Sequence, residues 1–430
     1  MITIFCHLLF DFTLLKKKVV FRLLFFLGFV FLVELYSFQT IKTLSKLKWV
    51  HYSYITLSIV LIAFLVYSFS KFDRSIGQTE QTMFTMGIFL LFYIPKMILG
   101  ILMFSEDIFR LLEGILRYGL KWQTNSTSFL PNRRMIVSQI ALFLALIPFV
   151  SLLYGMAKGK YNFKVYHETL YYKDLPASFD GTKIVHISDI HSGSFDNPEK
   201  IEKAIDLINQ QNADLILFTG DIVNSLANEM EPWIGTFQKI KEPTFGKFSV
   251  LGNHDYGEYL DWKGNQQAKK ENFENIQKLH QQIGFQLLNN ASASITIDNE
   301  SIQIIGVENW GQNFKKAGDL KLASSKVNQT DFKILLSHDP SHWEYEVKNH
   351  PNHYHLTLSG HTHGMQFGIE IQGILQWSPV QYVYRQWAGL YKFQEKYLYV
   401  NRGFGFHAYP GRVGIWPEIT VIELKKGEKI

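Results

Sequence analysis

An apolar stretch long enough to cross a bilayer leaves a chain little choice of structure. Hydrocarbon cannot satisfy backbone polar groups, so only helices and closed barrels span it. The first third of this 430-residue chain contains four apolar stretches, at residues 19–35, 54–69, 83–104 and 135–156. A span needs about 20 predominantly apolar residues to cross about 30 Å of hydrocarbon. The third and fourth stretches meet that length. The second is short and relies on its aromatic flanks at the interface. The first is the weakest, because Arg22 and Glu34 bracket its apolar core and residues 1–15 are also fairly apolar. A cleaved signal peptide explains one such stretch, not four. The expectation is an all-α membrane region over residues 1–157 with about four transmembrane helices.

An even number of spans leaves the amino terminus and the rest of the chain on one side. That side carries Lys16, Lys17, Lys18, Lys71, Arg74, Lys158 and Lys160; the opposite loops carry Lys42, Lys46, Lys48, Arg117, Lys121, Arg133 and Arg134. The positive-inside rule does not choose between them. The reading is a multi-pass protein of the cytoplasmic (inner) membrane, in contact with membrane lipids, with the face of the second domain undecided and a lean to the cytoplasmic one. Residues 105–119 place apolar side chains among charges, as an interfacial helix or the wet end of the third span would. The net charge of +5 is small and sits beside the apolar stretches, which speaks against a nucleic-acid partner. The single cysteine, Cys6, excludes an intramolecular disulfide framework and a multi-cysteine zinc site.

From residue 158 to 430 the pattern changes to short apolar runs that end in polar residues. Lys183-Ile184-Val185-His186-Ile187 ends in Ser188-Asp189-Ile190-His191, and Asp214-Leu215-Ile216-Leu217-Phe218 in Thr219-Gly220-Asp221. Phe248-Ser249-Val250-Leu251 ends in Gly252-Asn253-His254-Asp255, and Lys333-Ile334-Leu335-Leu336 in Ser337-His338-Asp339. Tyr354-His355-Leu356-Thr357-Leu358 ends in Ser359-Gly360-His361-Thr362-His363-Gly364. Runs of this length without internal alternation fit strands buried on both faces. Helical spacing of Ile201, Ala204, Ile205 and Ile208, capped by Asn197 before Pro198, predicts a helix over 198–210. Residues 265–283 read as a second helix, 295–305 as a hairpin, and 397–400 and 419–424 as further strands. The expected fold is layered α/β, a sheet sandwich covered by helices. Each chemically active fragment follows the carboxyl end of a strand, where open α/β sheets gather their ligand sites.

Brought to one edge, Asp189, His191, Asp221, Asn253, His338, His361 and His363 form a set of hard oxygens and imidazoles without thiolate, suited to Mn, Fe or Zn. Seven ligands exceed one ion's need and suit two divalent ions sharing a carboxylate. Such a pair, about 3.5–4 Å apart, clamps the attacking and leaving oxygens of an in-line displacement at phosphorus. In these pieces and their order, over about residues 184–424, the chain resembles the calcineurin-like metallophosphoesterases, above all the membrane-associated branch. Asn401-Arg402-Gly403-Phe404-Gly405, Arg412 and Trp416-Pro417-Glu418-Ile419 also fit that branch. The resemblance implies the family's four-layer sandwich, two central sheets flanked by helices. It implies that Asp189, His191 and His363 hold one ion and Asn253, His338 and His361 the other, with Asp221 bridging. It places His254 beside the substrate as a non-ligand that stabilises the phosphoryl group or protonates the leaving oxygen, with Asp255 orienting its imidazole. One departure is visible. Branch members usually continue the His-Thr-His-Gly turn with Gly-Gln, whereas here Met365 precedes Gln366, which bears on the loop's shape and substrate fit.

Arg402, and less strongly Arg412, are candidate phosphate partners, weighed against surface arginines. His407, in the same glycine-rich loop, could reach the site but reads rather as a solvated histidine; His350, His353 and His355 read as a turn before the last strand, and Trp310 as packing more than as a pocket wall; His186 and His342 carry no functional claim. The expected function is a membrane-anchored, dinuclear-metal phosphoesterase acting on a phosphoester or pyrophosphate bond. Its membrane setting makes a lipid-linked substrate attractive, and similar membrane-associated members hydrolyse UDP-2,3-diacylglucosamine in lipid A synthesis. The alternatives are a tethered nucleotidase or phosphodiesterase on soluble substrates, a metal-stiffened binding module, and a transporter with an accessory domain. Retention of all seven candidate ligands and of His254 argues against the module. The spans' few internal charges argue against the transporter.

Overall fold

Four long helices follow from the four apolar stretches: α1 (Lys16–Leu44), α2 (Lys48–Ser70), α3 (Glu80–Gly119) and α4 (Arg133–Ala157). The computed structural model describes residues 16–119, 133–371 and 373–428; residues 1–15 and 120–132, with Cys6 and Lys121, lie outside them. All four helices contain windows long and apolar enough to cross a membrane. The described residues form two compact units. One takes the chain up to Lys71 together with Ile88–Leu153; the other takes Phe72–Gly87 and the chain from Tyr154 onward.

In the first unit Val33, Leu65 and Tyr93 bury against one another across α1, α2 and α3, and Leu99 packs on Ala141 and Ala145 of α4. Small side chains at that contact let the backbones approach, the usual device where lipid supplies no hydrophobic drive. Many large apolar side chains point outward, among them Leu57, Ile59, Phe143 and Val150. The helix α3 is 40 residues long, about 60 Å at 1.5 Å per residue. It runs unbroken to Gly119, so residues 105–119 continue the third apolar helix and are not a separate interfacial element. Glu34, which weakened the first stretch as a span, is paired: Lys96 of α3 lies 2.7 Å from it, and Tyr54 and Ser58 of α2 donate to its other oxygen at 2.9 and 2.8 Å.

The second unit is built on two six-stranded sheets. The first runs in the order β1 (Lys164–Tyr172), β14 (Glu418–Lys426), β2 (Lys183–Ile187), β3 (Leu215–Phe218), β4 (Lys247–Ser249), β5 (Gln286–Leu287). The second runs β12 (Gly389–Phe393), β13 (Lys396–Val400), β9 (Leu356–Ser359), β8 (Phe332–Leu336), β7 (Glu300–Gly306), β6 (Ala291–Ile297). A small hairpin, β10 (Ile369–Ile371) with β11 (Leu375–Trp377), stands apart from both. The strands that carry the active fragments are parallel, with Ile184 beside Leu215 in one sheet and Ile334 beside Leu356 in the other. Their polar ends therefore emerge on one side of each sheet.

The period of two along a strand sorts side chains between cores. Ile184, Leu215 and Leu217 point into an inter-sheet core with Ile304, Ile334, Leu336, Leu356 and Leu358. Their neighbours Val185, Ile216 and Phe218 point the other way, to a core beneath α5 (Pro198–Gln210) and α6 (Gln266–Gln282). Ile305, Leu335 and Leu398 form the outer core of the second sheet, under Leu320 and Trp343. The result is the four-layer sandwich. Asn197 caps α5 by accepting from Lys200 N at 3.1 Å, and Asn265 caps α6 by accepting from Ala268 N at 3.0 Å. Met83, in the first turn of α3, is buried in the core beneath α5.

Candidate metal centre

Each fragment of the set begins where a buried strand stops, and the backbone must turn sharply there to aim its side chains inward. Asp189, His191, Asp221, His361 and His363 all adopt positive φ, between 48° and 69°. Left-handed backbone at non-glycine residues is costly, and it concentrates at functional sites where surrounding structure holds it. Two glycines make room for the carboxylates. A Cβ on Gly360 would collide with the Asp189 carboxylate, and one on Gly252 with that of Asp221.

The structure brings all seven residues together, six of them in two neighbouring groups of three and Asn253 against His338. In one, Asp189, His191 and His363 offer ligand atoms within 4.8 Å of one another; in the other Asp221, His338 and His361 do. His363 Nε2 lies 3.1 Å from Asp189 Oδ1 and 3.0 Å from His191 Nε2. His338 Nε2 lies 3.1 Å from both Asp221 Oδ2 and Asn253 Oδ1, and 3.3 Å from His361 Nδ1. Asp221 Oδ2 is also 3.6 Å from His191 Nε2, so this carboxylate stands between the groups.

The tautomers test whether these residues fit cations. His338 Nδ1 is 2.6 Å from Thr219 O and His191 Nδ1 is 3.1 Å from Asn224 Oδ1, both acceptors. Donation there leaves the inward Nε2 of each ring as a lone pair. Ring nitrogens facing one another at 3.0 Å, with carboxylates beside them, are a donor set that cations satisfy and that protons satisfy poorly. Electrostatics agree. Burial would push the Asp189 and Asp221 carboxyls up, yet neighbouring imidazoles hold both below the usual carboxylate range. Burial would pull His338 down, but the Asp221 carboxylate pushes it up to about 10.

His254 stands at the edge of the set, its ring 4.8 Å from that of His191. Its Nδ1 is 2.7 Å from Asn224 O, which makes Nδ1 the donor and leaves Nε2 for other partners. This corrects the expected role of Asp255. Its carboxylate accepts from the backbone N–H groups of Gly252, Asp221 and Ile222 at 2.8 to 3.0 Å, and so ties two loops together. Asn224 orients His254 in its place. Arg402 is also corrected as a phosphate partner. It is buried, paired with Glu418 at 2.6 Å and with Glu370, and lies over the Tyr166 ring. Arg412 is fully buried, donates to the carbonyls of Gly403 and Gly405, and approaches His363 Nδ1 at 3.0 Å.

His407 is not a solvated loop residue. Its ring stacks on His191 at 5.0 Å and meets His254 edge-on at 4.5 Å. His350, His353 and His355 lie in the turn leading into β9, and Trp310 stacks on His342. Met365, where the branch usually has glycine, adopts φ 50°, in the left-handed region that glycine favours. Further neighbours carry no sequence signal. Tyr384 OH is 2.7 Å from His361 Nε2, Tyr259 OH accepts from Asn253 Nδ2 at 2.6 Å, and Asp339 Oδ2 lies 3.6 Å from His361 Nε2.

Comparisons with known proteins identify the family to which the chain is similar. Residues 182–365 match the family described as "Calcineurin-like phosphoesterase", and residues 19–160 the one described as "Probable Calcineurin-like phosphoesterase, transmembrane domain". The chain is 32% identical to the metallophosphoesterase YkuE of Bacillus subtilis, over 58% of this chain and 82% of that protein. It is 29% identical to the phosphodiesterase YaeI of Escherichia coli, over 60% of this chain and 86% of that protein. A "Transmembrane protein with metallophosphoesterase domain" from Danio rerio is 26% identical over 65% of this chain, and the match spans 62% of the fish protein.

Proposed function

The chain belongs to the calcineurin-like metallophosphoesterases, and from that premise we propose that it is a membrane-anchored hydrolase of phosphoester or diphosphate bonds, working with two divalent ions. The observation that carries this reading is the pair of ligand groups sharing Asp221, with His254 beside them. Asp189, His191 and His363 would hold one ion, and Asn253, His338 and His361 the other. When bound, two such ions supply a water of lowered pKa and neutralise charge on the phosphoryl oxygens. The protein's own groups do the rest. Asn224 O fixes His254 with Nε2 outward, where the ring, once protonated as imidazolium, can give its Nε2 proton to the leaving oxygen. Thr219 O and Asn224 Oδ1 hold the imidazoles of His338 and His191 in the ligating tautomer.

For the substrate we favour a lipid-linked ester of the inner membrane, such as UDP-2,3-diacylglucosamine. Four candidate spans hold the chain at a two-dimensional pool of such molecules. Segment Phe72–Gly87, the link after the second span together with the start of the third, is part of the unit that bears the centre. The second reading, a phosphodiesterase on soluble substrates, is favoured by the name of the Escherichia coli relative. Detergent-purified protein with Mn added, assayed on bis-(p-nitrophenyl) phosphate and on a UDP-linked diacylated sugar, separates them. Turnover of both, abolished by Asn253→Ala, supports the lipid reading. Turnover of the small diester alone removes the favoured substrate and keeps the chemistry. Bound metal with neither substrate cleaved favours a binding module.

A further inference from the structure

We propose that Gln78, in the link between the second and third candidate spans, is a positioning residue of the hydrolytic site and acts through His407. This rests on the hydrolase reading above. Gln78 belongs to the unit that contains the centre, and it closes a ring of polar contacts beside it. Its Oε1 accepts from Ala408 N at 2.9 Å, and its Nε2 donates to Ser194 Oγ at 3.2 Å. Ser194 Oγ in turn accepts from Asn224 Nδ2 at 3.0 Å. Asn224 Oδ1 faces both His191 Nδ1 at 3.1 Å and His407 Nδ1 at 3.3 Å. His407 precedes Ala408, so Gln78 reaches this imidazole by two routes, one through the main chain and one through Ser194 and Asn224.

The ring has work to do. Ala408 sits at φ 61°, a conformation that a non-glycine residue leaves unless held. From the other side the loop is anchored by Gln366, whose Nε2 donates to Tyr409 O and Gly411 O at 2.9 Å each. With both anchors in place, His407 packs on His191 and His254 and limits the rotation of each ring. Gln78 is itself fixed. The next residue, Thr79, exchanges hydrogen bonds with Thr82, each hydroxyl accepting from the other's N–H, at the start of α3. That helix continues as the third candidate span. The aim of the imidazoles thus depends on a residue at the head of a membrane helix, a long way in sequence from every other part of the site.

The test is a double-mutant cycle on the full-length protein in detergent, with Mn and bis-(p-nitrophenyl) phosphate. A misplaced catalytic group costs rate more than binding. Gln78→Ala is expected to lower kcat about tenfold with KM within about twofold and with bound metal unchanged. Gln78→Glu retains an acceptor for Ala408 N and can accept from the Ser194 hydroxyl, so it should restore most of the activity. Gln81→Ala, an exposed neighbour on the same helix, should match wild type. Coupling decides the matter. If Gln78 acts through His407, the double variant Gln78→Ala/His407→Ala is no slower than His407→Ala, whereas independent effects multiply. Multiplying effects, a silent Gln78→Ala, or a loss of activity tracking a loss of metal would each overturn the proposal. Should Gln78→Ala not accumulate folded, Gln78→Asn takes its place in the cycle, since it is too short to reach both partners. Absence of any metal-dependent turnover by wild type would instead count against the hydrolase reading.

Discussion

His254 and Asp255 are adjacent in sequence and do unlike things, because both lie in a 3₁₀ turn, residues His254–Tyr256. Successive side chains there point about 120° apart, so a neighbour in sequence is the residue least able to touch the imidazole. The expectation that Asp255 steers His254 came from adjacency and failed on this geometry. His254→Asn should lower kcat by about 10²- to 10⁴-fold, the usual worth of a proton donor, while the bound-metal content of the purified protein stays at the wild-type level. Asp255→Asn should behave as a folding variant. It replaces one acceptor with a donor that faces backbone N–H groups, at a cost of about 1–3 kcal/mol, read as a lower thermal midpoint. Met365 offers a third case. It holds φ 50° and is 43% exposed, so a side chain there gains little burial for its backbone cost. Met365→Gly should leave activity intact and change stability by no more than about 1 kcal/mol, since relief of the left-handed backbone is set against glycine's chain entropy.

Elements were legible where their environment is uniform. Strands β2, β3, β8 and β9 are buried on both faces, so apolar residues dominate them and a cluster of polar residues follows each end. The metal set was readable for the same reason, since every member but Asn253, which follows β4, comes after such an end. Strand β1 was not read at all. It lies at the edge of its sheet, only partly buried, and Lys164, His167 and Glu168 interrupt its apolar pattern. Contacts made by loops, such as those of Asn224, His407 and Tyr384, depend on where distant turns arrive and leave no periodic trace. Glu34 shows the same limit within a helix. Alone it reads as a defect in the first span, but with Lys96 it becomes a tie between α1 and α3. Removing one partner from a buried pair costs about 3–5 kcal/mol, whereas removing both can be nearly neutral. Lys96→Met should therefore lower the thermal midpoint and the monodisperse yield in detergent, and Glu34→Leu/Lys96→Met should recover most of the loss.

Across the whole molecule the catalytic unit holds histidines that its chemistry does not use, and their burial ties its stability to pH. His186 is fully buried beside Thr219, and His280 is fully buried, stacked on Phe218 with Nδ1 2.9 Å from Ser249 Oγ. Burial, the leading cause in each, pulls His186 down to about 4 and His280 down to about 3. An unfolded chain protonates both near pH 6.5. Between that value and the folded one the unfolded state binds more protons, so stability is complete above about pH 6.5 and falls as the pH drops toward 4. Each pH step in that window removes up to about 1.4 kcal/mol per histidine. The variant His280→Phe/Ser249→Ala keeps the ring stack, removes the titrating nitrogen and leaves no orphaned hydroxyl. Its thermal midpoint, followed from pH 7 to pH 4 beside wild type, should fall less steeply with acid. Parallel curves would mean that the acid sensitivity resides elsewhere, with the imidazoles of the metal centre as the next groups to titrate in the presence and absence of bound Mn.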